Sequence, residues 1–197
     1  MNRFAVDDAW KVLLADLRIS TEELLALADL PSDLLARKDA SVMIAEYFRM
    51  WHSLDQLARD PLLPIRMLES LSPEMFSPPL FAAICSPCLA AAIRRIQLFK
   101  PLIGPMVLDC RDGRSGLTLD IRVSGASLPM PRLLTAMELG YFVWLAQHAT
   151  RHHVVPERVV STVPLEPARP SEPISAVGWR PERSCTCGSP PSTGTAR

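Results

Sequence analysis

Residues 80–106 read LFAAICSPCLAAAIRRIQLFKPLIGPM. A C-x-x-C, two arginines and a lysine sit inside an apolar run, so four readings are open: a metal or redox site, a membrane span, a nucleic-acid contact, or packed interior. The most apolar part, residues 78–93, is interrupted by Pro79 and Pro87. It falls short of the roughly 18–20 apolar residues that cross a bilayer. Pro79 to Cys85 reads as a short apolar helix. Ser86 suits an N-cap and Pro87 the first helical position. Leu89, Ile93, Ile96 and Phe99 or Lys100 then continue one helical face, with Arg94, Arg95 and Gln97 pointing elsewhere and Pro101 as the stop.

Downstream the period changes to two. Met106, Leu108 and Cys110 alternate with Val107, Asp109 and Arg111, and Leu117, Leu119, Ile121 and Val123 alternate with Thr118, Asp120 and Arg122. Asp112-Gly113 and Gly116 supply turn chemistry, so a β-hairpin with one buried face is expected. A proline-containing loop leads to a long helix striped by Leu134, Met137, Tyr141, Trp144 or Leu145, and His148. Residues 158–163 read as a last strand. Upstream, Trp10, Leu13, Leu14 and Leu17 mark a helix, and Ser20 with Glu23 forms a capping box for a second. Leu34 and Leu35 sit on a further turn. After Ser41 a longer helix buries Ile44, Tyr47, Trp51, Leu54 and Leu57 and turns Glu46, Arg49 and Asp55 outward. A short helix over residues 65–71 follows. The expected fold class is α+β: helices over residues 5–100, a small antiparallel sheet from 106–111, 117–123 and 158–163, and the long helix between its second and third strands.

From Leu165 onward apolar periodicity is lost, and Pro, Ser, Gly, Arg, Thr and Cys dominate. Little apolar surface is left to offset the entropy of ordering. The chain therefore divides into a domain over 1–164 and a tail over 165–197 that composition assigns to disorder. With 197 residues, 48% hydrophobic and 21% charged, a real core is within reach. Asp7 and Asp8 fall where a signal peptide needs an apolar core, so a cytoplasmic protein is expected. Five cysteines, an odd number, read as thiols.

The chemistry-bearing residues are weighed the same way. A structural zinc site needs four ligands; Cys185 and Cys187 have the wrong gap to complete one with Cys85 and Cys88. Both members of the C-x-x-C are expected to be mostly buried, as small core residues. His148 and His152 share a helical face, yet no nearby Cys or Glu completes a metal site. Arg94, Arg95 and Lys100 are either an anion grip or a solvated face. Residues 20–35 have the length of a helix-turn-helix, but residues 1–40 hold more acids than bases, and the net charge is zero. The phosphate-neutralising excess of a DNA-binding chain is missing. No G-x-S-x-G, phosphate-cradling glycine loop or paired-carboxylate arrangement stands out, so neither an enzyme nor a cofactor is expected.

The order of LLADLRISTEELLALADLPSDLL, EYFRMWHSL, LSPEMFSPPLFAAICSPCLAAAIRRIQLFKPLIGPM, a hairpin and a long helix resembles the N-terminal sensor domain of AraC-type transcriptional regulators, in the ornithine-utilisation branch. The resemblance spans residues 8–165, and Cys88 is not part of the family's pattern. It implies a cytoplasmic module that senses a small-molecule effector, with an amino-acid-like effector as the expectation, and that forms a homodimer. In the family a helix-turn-helix domain then reads DNA. The expectation here is a truncated regulator without that domain, its tail out of frame, which does not bind DNA itself. The other reading is a stand-alone interaction module that heterodimerises with a full-length regulator. The expected pocket lies between the hairpin and the helices at 86–100 and 131–152, with Arg95, Tyr141 and His148 as ligand-binding candidates.

Overall fold

The computed structural model describes residues 3–6, 8–70, 78–113, 116–150, 153–165 and 177–179. Strand β1 (Arg3–Ala5) is followed by helices α1 (Ala9–Asp16) and α2 (Thr21–Leu27), a 3-10 turn (Leu34–Ala36), β2 (Ser41–Met43) and α3 (Ile44–Ala58). Then come α4 (Leu63–Glu69), α5 (Pro78–Ile84), α6 (Leu89–Ile103), the hairpin β3 (Met106–Gly113) and β4 (Gly116–Val123), α7 (Arg132–Thr150) and β5 (Val177–Trp179). The fold is α+β, as the change of period requires. No helix among the described residues is long and apolar enough to cross a membrane.

The first two helices end without glycine. Arg18 (φ 55°) and Asp29 (φ 53°) take the left-handed conformation just past α1 and α2. At each end two backbone N–H groups fold back: Arg18 N to Ala15 O and Ile19 N to Leu14 O, then Asp29 N to Ala26 O and Leu30 N to Leu25 O. This satisfies carbonyls that a helix end otherwise leaves bare, and it sets Ile19 and Leu30 toward the core side. Ser20 caps α2 as expected, its Oγ accepting from Glu23 N at 3.4 Å. Arg49, placed on the outer face of α3, donates from Nε to Ala28 O at 2.7 Å and so ties α3 to the end of α2.

Two buried clusters form the core. The first gathers Phe4, Trp10, Leu14, Leu24, Leu25, Leu34, Leu35, Phe48, Trp51 and Leu54 with Leu133 and Leu134 of α7. The second gathers Ile93 and Ile96 of α6, Leu108, Leu117 and Leu119 of the hairpin, and Phe142 and Leu145 of α7. Helix α7 serves both, its first turns in one cluster and its second half in the other. Its buried residues lie on more than one stripe, as expected of a helix enclosed on several sides. Its first residue, Arg132, forms a bidentate pair with Asp55 of α3 (3.1 and 2.5 Å).

Several expectations need correction. Ser86 does not cap α6: its Oγ donates to Ala82 O at 3.2 Å, closing the end of α5, and Cys88 takes the N-cap position of a helix that begins at Leu89. Pro101 does not stop α6, which runs on to Ile103. A proline in a last turn forfeits one donor and leaves the few residues after it free to complete the turn. Cys88 is buried, but Cys85 is exposed, because it sits on the turn between α5 and α6.

Residues 158–163 form no strand. The Ser161 hydroxyl donates to Val163 O (2.6 Å) and accepts from Val163 N (3.1 Å), a local loop that competes with ladder pairing. The third strand of the larger sheet is β5, antiparallel to β4 with Leu117 opposite Trp179, inside the segment that composition assigned to disorder. Long helix α7 still lies between the second and third strands. The two-stranded sheet of β1 and β2, with Phe4 opposite Val42, was not anticipated.

Candidate functional site

Between the hairpin and helices α6 and α7, where the pocket is expected, Ile93, Ile96, Leu108, Leu119, Phe142 and Leu145 form a buried apolar cluster. Beside it, where α6 meets α7, polar chemistry collects. Lys100 ends the apolar face of α6 and is 8% exposed. Its Nζ donates to both carboxylate oxygens of Glu138 on α7, at 2.8 and 2.7 Å. The two side chains are only 10% and 12% exposed, so this is a buried ion pair. The lysine of the opening stretch does grip a carboxylate, and it is the chain's own.

One turn further along α7 the Tyr141 ring has Lys100 Nζ 5.9 Å from its centroid. Tyr141, Trp144 and His148 then form a column at i, i+3 and i+7. Tyr141 and Trp144 are near parallel (17°, 6.2 Å), and Trp144 stacks on His148 at 3.8 Å. His148 Nδ1 lies 2.8 Å from Trp144 O, which fixes the ring against its own helix. Burial, and then the Glu138 carboxylate, push the Tyr141 phenol above its ordinary range.

Two of the three candidate ligand residues thus share one face, joined by Trp144. The third, Arg95, is exposed and donates from Nη1 to Ala82 O of α5 at 2.7 Å. Arg94 is exposed too, and its charge acts on Cys110 of the hairpin, where burial raises the thiol pKa and Arg94 partly opposes it. The three cations of the stretch therefore face three different elements. Lys100 and Glu138 were not singled out as a pair by sequence; the only signal was a lysine in register with an apolar face. Among the described residues no three His, Cys, Asp or Glu gather as metal ligands would.

The raised phenol pKa predicts an alkaline effect. An unfolded tyrosine loses its proton near pH ~10, while folded Tyr141 holds its proton longer. Its stabilising contribution is present below that pH and is lost as pH rises toward the folded value. Tyr141→Phe should flatten this fall, by up to about 1.4 kcal/mol per pH unit. Urea midpoints compared between neutral and alkaline buffer for both proteins would measure it.

The helix-turn-helix-like segment is a core element. Leu24, Leu25, Leu34 and Leu35 are all buried, and the second element is a three-residue 3-10 turn, too short to lie in a groove as a recognition helix does. No curated protein matches the chain. Residues 19–174 do match a described family, and the match runs from the cap of α2 through the α6–hairpin–α7 unit that holds the buried pair. The chain belongs to the family of the arabinose-binding domain found at the N-terminus of AraC transcription regulators.

Proposed function

We propose that this chain is the effector-sensing and dimerising part of a transcription regulator, working in the cytoplasm, with its ligand strip along α7 and the facing end of α6. The observation that carries this reading is the Lys100–Glu138 pair beside the Tyr141–Trp144–His148 column. A small molecule bearing a charged group, such as an amino-acid-like effector, competes for one partner of the pair and lays its body on the aromatic column. Arg95, the third ligand candidate, lies on α6 and donates to α5. Binding that separates Lys100 from Glu138 favours a different set of α6 relative to α7, and an effector acts through such a difference in affinity between two states. Thermal-shift screening of sugars and amino acids tests the idea, since a ligand of the folded state raises its melting temperature. A hit should weaken in His148→Ala and in Arg95→Gln. A hit that neither substitution touches removes this strip from consideration.

On this proposal, sequence-specific DNA reading does not come from the described residues. In a gel-shift assay near ~150 mM salt, where surface charges are screened beyond roughly 8 Å, the purified chain should give no sequence-selective shift. A selective submicromolar shift would mean that the reader has been misplaced. The second reading, an interaction module that pairs with a full-length regulator, draws on two exposed apolar residues, Leu98 of α6 (72% exposed) and Phe81 of α5. Sedimentation of the chain alone separates the two readings: a self-dimer supports the first, and a monomer without effector response supports the second.

A further inference from the structure

We propose that a second site, away from α7, binds a small carboxylate with a short apolar body. It is a cleft of about 380 Å³ between the end of α1, the end of α3 and the start of α4, lined by Leu17, Ala58, Arg59, Asp60, Leu63 and Arg66. That volume lies in the lower part of the range of small-molecule pockets. Leu17 and Ala58 are half-buried and give the cleft its apolar contact surface, with Leu63, 2% exposed, packed behind them.

The polar lining is unbalanced. Two guanidiniums face one carboxylate, and that carboxylate is already committed. Asp60 Oδ1 accepts from Leu62 N at 2.9 Å, and its Oδ2 lies 3.3 Å from Arg66 Nε. Arg66 pairs with Asp60 through Nε alone, and its side chain is 69% exposed, so its outer nitrogens are open to a ligand. Arg59 is held differently, by a left-handed backbone (φ 50°, ψ 32°) at the end of α3. A non-glycine residue in that conformation is strained, because its Cβ crowds the following carbonyl. The excess of one positive charge over an apolar floor fits a monocarboxylate, whose planar oxygens match a guanidinium fork.

The test uses the full chain, NMR shifts of its backbone amides, and sodium butyrate as the probe, with butyramide and sodium chloride at matched ionic strength as controls. Saturable shifts in the Leu17, Ala58 and Leu63 amides are expected with butyrate alone. Arg59→Gln and Arg66→Gln should each weaken binding roughly tenfold, the loss of one charge-assisted hydrogen bond. Arg59→Gly relieves the left-handed backbone, so it should fold at least as well as the parent and still lose affinity. Tyr141→Phe and His148→Ala should leave butyrate binding unchanged. Equal binding of butyramide, equal shifts with chloride, no saturation, or full affinity in Arg59→Gly would each overturn the site. Loss of binding in Tyr141→Phe with retention in Arg59→Gly would move the carboxylate to α7.

Discussion

Replacing Lys100 with alanine should destabilise the protein by about 3–5 kcal/mol, the cost of breaking a buried ion pair from one side. Glu138 would keep its charge at 12% side-chain exposure with no counterion on α6. The carboxylate would also face the Tyr141 phenol, which its charge already disfavours from ionising. Glu138→Gln strands Lys100 in the same way and should cost a comparable amount. The double replacement Lys100→Met with Glu138→Leu should recover most of the loss, because two apolar side chains of similar volume need no desolvated charge. Urea midpoints at neutral pH measure all three. A loss below roughly 1 kcal/mol for Lys100→Ala would mean that the pair behaves as a solvated surface pair, and the strip on α7 would lose its anchor. If the double variant is stable but no longer responds to an effector that shifts the parent, the pair serves recognition more than folding.

The helices and the hairpin were legible because each has a strong period. Met106 to Cys110 and Leu117 to Val123 each alternate, and the register of the hairpin, Met106 opposite Val123 through Gly113 opposite Gly116, follows from that alternation and the two residues between Gly113 and Gly116. β1, β2 and β5 were not legible, since a three-residue strand shows no more than one alternation. The ends of α1 and α2 were hidden for another reason: Arg18 and Asp29 do work usually assigned to glycine. The candidate site was half legible. Tyr141 and His148 share a face by spacing alone, whereas Lys100 meets Glu138 across 38 positions, a pairing that no local pattern encodes. Asp55 and Arg132, 77 positions apart, were hidden in the same way.

The second large effect is expected where the N-terminal strand meets the junction of α6 and the hairpin. Gly104 is buried, and a Cβ built on it would overlap the ring of Phe4. Its backbone is fully extended (φ −178°), a conformation open to any residue, so the demand for glycine here is one of space. The ring cannot retreat easily: Phe4 is 1% exposed and stacks on Tyr47 at a 3.9 Å centroid separation. Gly104→Ala should therefore cost about 1–3 kcal/mol through overpacking. Phe4→Ala, which empties the same site, should cost about 3–5 kcal/mol. The two should not add. In the Phe4→Ala background the new methyl group meets a cavity, so Gly104→Ala becomes neutral or partly restoring, a coupling of roughly 0.5–3 kcal/mol in the double-mutant cycle. Simple additivity would show that Phe4 does not lie against Gly104 in solution. By contrast, Gly140→Ala on α7 meets mainly the end of the Leu68 side chain, which has rotamers available, and should cost less than Gly104→Ala.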